Sequence, residues 1–154
     1  MIAYGLSPLN PNGVAVAAGR IMLARIKELI VEGKDFAFET TLSTRSYVSL
    51  INDARNRGYT VTLLFFWLYS SGEAIMRVAD RVKNGGHHIP DDVVVRRYKR
   101  GIGNFHSLYK NIVDAWLVFD GSGDTPGLIA TGDQGFDDTI INPELWAKIN
   151  HNGI

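Results

Sequence analysis

The hydrophobic positions of the chain follow a helical period in its first third. Apolar residues recur about every 3.6 positions over residues 14–31, which predicts a helix with Asn12 as its N-cap and Gly33 as its stop. The same spacing over residues 47–54 predicts a second helix, which Gly58 ends. Two helices therefore precede the most apolar part of the chain.

Four short runs of apolar and β-branched residues have the pattern of strands. They are DFAFE, YTVTLLFFWLY, AWLVFD and GLIATG, at residues 35–39, 59–69, 115–120 and 127–132. The run at 59–69 is polar on neither face, which is typical of a strand in a parallel sheet that helices cover on both sides.

Three further helices are predicted at residues 70–83, 91–111 and 143–150. Ser70 and Glu73 form the capping-box pattern that begins the first of them. Gly101 and Gly103 each weaken the second by about 1 kcal/mol relative to alanine. The alternation of helices and strands predicts an α/β fold, in one domain over residues 1–154, with a parallel sheet between flanking helices.

Polar residues follow three of the predicted strands. They are residues 39–41, residues 70–73 and Asp120. In α/β sheets, ligands bind beyond the carboxyl ends of the strands. We therefore expect these residues on one rim of the sheet, with the carboxylate of Glu39 on the same side as the basic residues of the segment 77–100.

The composition excludes several classes of site. The chain of 154 residues has no cysteine, so it has no disulfide, no thiolate metal site and no thiol nucleophile. Its first residues, MIAYGLSPLNP, lack the basic start and apolar core of a signal peptide, and the apolar run at 61–69 is too short to span a bilayer. We therefore expect a soluble, cytoplasmic protein with no membrane partner.

Positive charge is concentrated in the segment RVADRVKNGGHHIPDDVVVRRYKR, residues 77–100. Lysine plus arginine (16) balances aspartate plus glutamate (16) over the whole chain, but this segment has seven basic and three acidic residues, a net charge of +4. Arginines from two neighbouring helices can bind phosphate oxygens through paired N–H groups, and Gly85–Gly86 between them suits a moving lid. The alternative is a solvated face, in which Glu73 forms a local ion pair with Arg77.

The segment FETTLS, residues 38–43, combines one carboxylate with three hydroxyls at the end of a predicted strand. Such a group can hold a sugar, a hydroxyl nucleophile or a hydrated Mg²⁺ ion. The alternative is an ordinary turn in which Ser43 or Thr44 caps the next helix. The residues alone leave both interpretations open.

Spacing argues against several other sites. His87–His88 with Asp91–Asp92 could bind a metal, but adjacent residues in a loop rarely converge on one ion, so we predict no metal site. The pair Gly33–Lys34 fails the phosphate-binding pattern G-x-x-x-x-G-K-[ST], because Glu28 and Asp35 stand where the pattern requires glycine and a hydroxyl. The nucleophile-elbow and dinucleotide-binding patterns are absent from the sequence as well.

Several motifs occur in an order and spacing that carry a family resemblance. They are GLSPLNP and AGR (5–11 and 18–20), FAFETTLS (36–43), GYTVTLLFFWL (58–68), RVADRVKNGGHHIPDDVVVRRY (77–98) and FDGSGDTPGLIATG (119–132). Together they resemble the zeta-toxin-like family of P-loop kinases over nearly the whole chain, with Gly121 standing where such proteins more usually carry asparagine. The resemblance implies a three-layer, P-loop-kinase-like sheet and an ATP- and Mg²⁺-dependent phosphotransferase.

The resemblance also implies roles for individual residues. The residues that would face a small-molecule phosphoryl acceptor are Glu39, Thr40, Thr41 and Arg45. The lid arginines that would neutralise the transferred phosphate are Arg81 and Arg97, with Arg77 and Arg96 as further candidates for the same role. The best-studied toxins of the family phosphorylate an amino-sugar nucleotide, and an antitoxin protein holds them in check.

One part of the family pattern is missing from these 154 residues. The family's first strand, phosphate-binding loop with its lysine, first helix and catalytic-base aspartate normally precede the GLSP region, and none of them occurs here. Without the N–H groups and lysine of that loop, nothing in the sequence cradles the β- and γ-phosphates. We therefore expect a kinase domain that is truncated at its N-terminus, leaves its sheet open, and is inactive as given.

Two other functions remain open on the sequence. The first is a non-catalytic binding or decoy module that pairs its open sheet with a second copy, as a homodimer, or with a partner chain. The second is a nucleic-acid-binding protein that uses RRYKR (96–100). The neutral net charge and the position of the basic groups beside glycines argue against nucleic acid.

Overall fold

Helices and strands follow one another along the chain in an α/β order. The computed structural model describes the backbone of residues 11–152 and the side chains of residues 17–151. Within that part, the elements are α1 (Pro11–Glu32), α2 (Tyr47–Asn56), β1 (Thr62–Trp67), α3 (Ser71–Lys83), α4 (Asp91–Ser107), β2 (Ala115–Asp120), β3 (Gly127–Asp133), β4 (Thr139–Ile140) and α5 (Pro143–Asn152). The described chain divides into two compact units, one on each side of the Glu39–Thr40 peptide bond, and the sheet belongs to the second. The predicted α/β class is confirmed.

The predicted helices are all present, but one predicted strand is not. Residues 34–40 are irregular, so the strand predicted at 35–39 is wrong. A strand depends on side-chain and backbone contacts with a neighbouring strand, which a five-residue pattern does not specify. The helix predicted over 91–111 ends at Ser107 and is followed by a 3₁₀ turn at Tyr109–Asn111. The predicted cap side chain of Asn12, and most of the motif at 5–11, lie outside the described residues.

The sheet is mixed, whereas the sequence predicts a parallel one. In the described part of the chain its strand order is β1-β2-β3-β4. β1 and β2 are parallel, with Trp67 opposite Asp120, while β3 is antiparallel to β2 and β4 is antiparallel to β3. The connections explain the difference. Two helices carry the chain back between β1 and β2, whereas the short turn at 121–126 suits an antiparallel pair.

The hydrophobic core lies on one face of this sheet, against α4 and α5. Phe105 of α4 is fully buried, and its ring stacks on Phe65 of β1 with centroids 4.8 Å apart. Trp116 of β2 stacks on Trp146 of α5, with centroids 5.6 Å apart and planes 7° apart. Gly132 of β3 leaves the space that the Trp116 ring occupies, since a Cβ atom there would overlap the ring. These contacts hold α4 and α5 against the sheet.

The opposite face of β1 is apolar and partly open. Leu64 and Phe66 are 53% and 52% exposed, and Phe66 stacks on Phe119 of β2 with centroids 5.2 Å apart. Burial along β1 therefore alternates between the two faces, which differs from the predicted cover on both sides. Among the described strands β1 pairs with β2, so its other edge lies at the end of the sheet.

The length and hydrophobicity of the helices bear on whether any of them could span a membrane. Within residues 11–152, none of them is both long enough and apolar enough to cross a bilayer.

Candidate functional site

The loops that follow β1 and β2 lie together on one rim of the sheet. The carboxylate of Glu73 accepts hydrogen bonds from the amide of Tyr69 and from the hydroxyl of Ser122, both at 3.1 Å. The amide of Ser122 also donates to the carboxylate of Asp120 at 2.9 Å. These contacts confirm the expected shared rim for residues 70–73 and Asp120. Residues 39–41, the third group expected there, follow no strand in the structure.

The start of α3 ties this rim together. Ser70 Oγ accepts a hydrogen bond from the amide of Glu73 at 3.2 Å, as the capping-box pattern predicts. One turn further on, Arg77 donates to the carbonyl of Gly121, and its Nη2 atom lies 3.5 Å from Glu73 Oε1. Arg77 thus joins α3 to the loop after β2. Its role in phosphate binding stays a prediction.

The end of α3 explains the double glycine. Gly86 N donates to Arg81 O at 2.8 Å, and Gly85 N donates to Val82 O at 3.0 Å. With a φ of +84° at Gly85, these bonds form a Schellman motif, in which glycine adopts the left-handed conformation at low cost. Beside it, Arg81 Nη2 donates to His87 O at 3.3 Å. Both glycines therefore serve the helix end, and a hinge at this point stays a prediction.

α4 and the 3₁₀ turn that follows it contact the backbone of the hydroxyl-rich segment, residues 40–44, at three successive points. The carbonyl oxygen of Thr41 lies 2.6 Å from where a Cβ atom of Gly101 would be. Asn104 Nδ2 donates to Leu42 O at 2.7 Å, and the hydroxyl of Tyr109 donates to Thr44 O. Because residue numbers rise together in these three contacts, the segment runs in the same direction as α4.

Arg97 lies on the side of α4 that faces this segment. It precedes Gly101 by four residues, so the two share one stripe of the helix surface. The direction of the segment brings Thr40 towards the same turn of α4. Arg96 is rotated from Arg97 by about 100° around the helix axis, towards the outer face. Helical spacing therefore favours Arg97 over Arg96 as the arginine on the side of Thr41, and the roles of both arginines in phosphate binding stay predictions.

The hydroxyls of the segment form hydrogen bonds with one another and with nearby backbone amides. Thr41 Oγ1 and Ser43 Oγ are 2.9 Å apart, and Thr40 Oγ1 accepts the amide N–H two residues further on, at 3.2 Å. The N-cap of α2 is Ser46, whose side chain makes no capping hydrogen bond. Thr44 Oγ1, in contrast, accepts the amide of Ser46 at 3.1 Å directly before α2, so the alternative prediction of a capping hydroxyl holds for Thr44 and not for Ser43. Thr40 and Thr41 are exposed on the surface.

Two residues predicted to face the acceptor lie to either side of these hydroxyls. Glu39 is exposed and belongs to the first compact unit. Arg45 is exposed, and its carbonyl oxygen accepts the amide of Val48 at the start of α2, at 3.2 Å. Their roles in acceptor binding stay predictions.

The side chains that hold this region in place were not apparent from sequence patterns. They are Tyr98, Asn104 and Tyr109. The hydroxyl of Tyr98 donates to Leu68 O at 2.9 Å, so α4 also holds the loop after β1. Burial raises the pKa of Tyr98, and the negative charge of Glu73 raises it further. The sequence feature that could have predicted this contact is Gly101, since a glycine inside a helix can mark the close approach of another element.

Comparison with known proteins identifies the family to which this chain belongs. Residues 12–125 match the zeta toxin family. The chain belongs to the zeta toxin family. It is also 32% identical over 97 residues to an uncharacterised protein of Haemophilus influenzae, in a match that covers 63% of this chain and 69% of that protein. No solved structure gives a significant match.

This match confirms the predicted family, and the matched residues include the candidate site. The zeta toxin match includes both the segment 40–44 and α4. Membership of the zeta toxin family indicates a kinase-like, nucleotide-binding function, with a nucleotide and a metal ion as ligands in general.

Proposed function

We propose that the chain is a small-molecule kinase domain that uses ATP and Mg²⁺ and whose acceptor is an amino-sugar nucleotide. Thr40 and Thr41, with Arg45, contact the acceptor. Arg81 and Arg97 neutralise the transferred phosphoryl group. One observation supports the proposal: Gly101 and Asn104 of α4 contact the backbone of Thr41 and Leu42, and Arg97 precedes Gly101 by one turn of the same helix. Arg97 itself is exposed and, within residues 17–151, has no ion-pair partner.

Arginine chemistry suits this reaction. Phosphoryl transfer spreads negative charge over the oxygens of the transferred group, and a kinase acts chiefly by positioning the reactants and neutralising that charge. The guanidinium group offers paired N–H donors that match phosphate oxygens. Arg97 extends from α4 and Arg81 from the last turn of α3, so the two cations approach from different helices. Threonine hydroxyls can orient a sugar hydroxyl through hydrogen bonds.

ATP and Mg²⁺ fit the residues of this chain in part. The exposed arginines suit the phosphates of a nucleotide, which supplies the phosphoryl group. Within the described residues, no group of three or more His, Cys, Asp or Glu side chains could hold a metal ion. Mg²⁺ that is bound through phosphates needs only one or two carboxylates. Because the sequence has no G-x-x-x-x-G-K-[ST] motif, we propose that these 154 residues bind ATP weakly and turn it over little or not at all.

Thermal unfolding with added ligands tests the proposal. We expect a millimolar amino-sugar nucleotide to raise the melting temperature of the chain, because a ligand that binds only the folded state stabilises it. Mg-ATP should have a much smaller effect. The double variant Thr40→Val, Thr41→Val should lose the response to the amino-sugar nucleotide. Strong stabilisation by Mg-ATP with none by amino-sugar nucleotides would contradict the proposal. An antitoxin partner stays a prediction.

A second candidate function, association through the sheet, is favoured by the open face of β1. Leu64 and Phe66 are half exposed there, and the strand TLLFFW has no charge or proline to discourage edge pairing. A second copy or a partner chain could add a strand at this edge. Sedimentation over a range of concentrations distinguishes the two candidates. A dimer that Phe66→Lys abolishes would support association, and a monomer at about 100 µM (well above a 1 µM dissociation constant) would exclude a stable homodimer.

A further inference from the structure

A buried amide on α4 contacts the hydroxyl-rich segment. Asn104 is 9% exposed, and among the described side chains it is the one polar residue in the buried core. Its Nδ2 atom donates to Leu42 O at 2.7 Å. Burying an amide is costly unless its hydrogen bonds are made. The position of Asn104 therefore indicates a specific contact rather than general packing.

The residue that Asn104 holds has an unusual backbone conformation. Leu42 has a φ of +53°, in the left-handed region that residues with a side chain rarely adopt. Its side chain is 4% exposed in the core, and its amide donates to Thr40 Oγ1 at 3.2 Å. Strain of this kind persists only when the surroundings fix the backbone, and it concentrates at functional sites. Here the surroundings include the core, the Thr40 hydroxyl and the Asn104 amide.

We propose that Asn104 is a positioning residue for acceptor binding. By holding Leu42 in the left-handed conformation, it fixes the hydroxyls of Thr40 and Thr41 relative to Arg97 on the same helix. This inference rests on the proposed function, since it concerns the residues assigned there to the acceptor and the phosphate. It assigns Asn104 no contact with either ligand.

One consequence concerns motion. α4 carries both Arg97 and the groups that hold the segment, so the proposal implies that the helix and the hydroxyls move together. The hydrogen bond from Tyr98 to Leu68 O adds a further tie between α4 and the rim. We therefore expect that α4 does not move as a lid relative to the acceptor hydroxyls. Closure around a phosphate is left to Arg81 and the connection at residues 84–90.

Amide hydrogen exchange tests the positioning role without any ligand. Asn104→Leu keeps the approximate size of the side chain but removes the donor. We expect exchange at residues 41–44 to accelerate at least tenfold. Ile149→Val, which trims a fully buried side chain of α5, is the control for a general loss of stability. Unchanged exchange in Asn104→Leu, or equal acceleration in both variants, would overturn the proposal.

Asn104→Asp adds a test that general packing would not affect. The ionised carboxylate cannot donate to Leu42 O, whereas the protonated carboxyl can. Protection at residues 41–44, corrected for intrinsic exchange rates, should be lost at pH 8 and return at low pH. The wild type should show no such recovery. Protection that is the same at both pH values in Asn104→Asp would count against a hydrogen-bonding role.

Calorimetry with an amino-sugar nucleotide supplies the functional measurement. Asn104→Leu should weaken its binding about tenfold, and Ile149→Val should leave it within twofold of the wild type. Equal affinities in all three proteins would refute the positioning role. If the wild type binds no amino-sugar nucleotide, the proposed function fails, and the exchange experiments still decide whether Asn104 fixes the segment.

Discussion

The carbonyl oxygen of Thr41 lies 2.6 Å from the position that a Cβ atom on Gly101 would occupy. Glycine within a helix costs about 1 kcal/mol relative to alanine. Glycine is nevertheless needed at position 101, because the hydroxyl-rich segment can approach α4 this closely only where a side chain is missing. The contact places the two most distinctive motifs of the sequence, the hydroxyl segment and the basic helix, against each other.

Gly101→Ala should destabilise the fold, against the helix propensity of alanine. The added Cβ would meet a backbone carbonyl, and overpacking of this kind costs roughly 1–3 kcal/mol. Gly19→Ala is the matched control, because Gly19 is also helical but has nothing within 4 Å of an added Cβ. It should be neutral or stabilising by up to about 1 kcal/mol. Urea unfolding measures both effects, and a gain in stability for Gly101→Ala would contradict the close contact.

Arg97→Ala should affect phosphoryl transfer far more than stability. An arginine that stabilises the transferred phosphoryl group can contribute about 10³-fold or more to the rate, whereas an exposed side chain contributes little to folding. Arg81→Ala should behave in the same way. Turnover is measured on an active family member with the equivalent changes, and the melting temperature on this chain.

Arg96→Ala is the control for the arginine variants. Arg96 lies on the outer face of α4, so its removal should lower turnover by less than about tenfold, a change of about 1.4 kcal/mol. Equal losses of turnover in Arg96→Ala and Arg97→Ala would show that the position of the arginine around the axis of α4 does not affect phosphoryl transfer. A parallel loss of folding in Arg97→Ala would argue for a structural role.

Gly85→Ala should weaken the end of α3. The φ of +84° at Gly85 costs a residue with a side chain roughly 1–2 kcal/mol. Gly85→Asn should cost less, because asparagine tolerates the left-handed conformation better. Guanidinium unfolding measures the order glycine, asparagine, alanine. Identical stabilities for the three proteins would show that the Schellman motif does not constrain this position.

The stability of the fold should fall in mild acid because of His106. Burial lowers the pKa of His106 from 6.5, and the positive charge of Lys110 lowers it further. Its ring lies among Phe105 and Trp146, and its Nε2 atom is buried without a partner among the described residues. The folded state therefore binds a proton less readily than the unfolded state. Stability is retained above pH 6.5 and declines as the pH falls below it, until the folded-state pKa is passed.

His106→Phe tests this pH dependence. Phenylalanine fills a similar space among the aromatic rings and cannot be protonated. The decline in melting temperature below pH 6.5 should become shallower than in the wild type. If the two proteins lose stability in parallel as the pH falls, His106 is not the group responsible.

The helices could be predicted because each depends on a local period. The start of α3 is an example, since Ser70 and Glu73 are three residues apart and form the predicted bond. The prediction of a strand at 35–39 is wrong because a strand needs a neighbouring strand to pair with, and the local sequence does not specify that neighbour. The antiparallel pairing of β3 follows from a short connection, and could have been predicted from the six residues between the strands.

The α/β class, the family and two groups of candidate site residues could be predicted from the sequence, because helical periods, hydroxyl clusters and arginine spacing are local properties. How those groups meet depends on the tertiary structure. Asn104 and Leu42 are 62 positions apart, and their hydrogen bond, like the approach of Thr41 to Gly101, exists because the core holds α4 beside the segment.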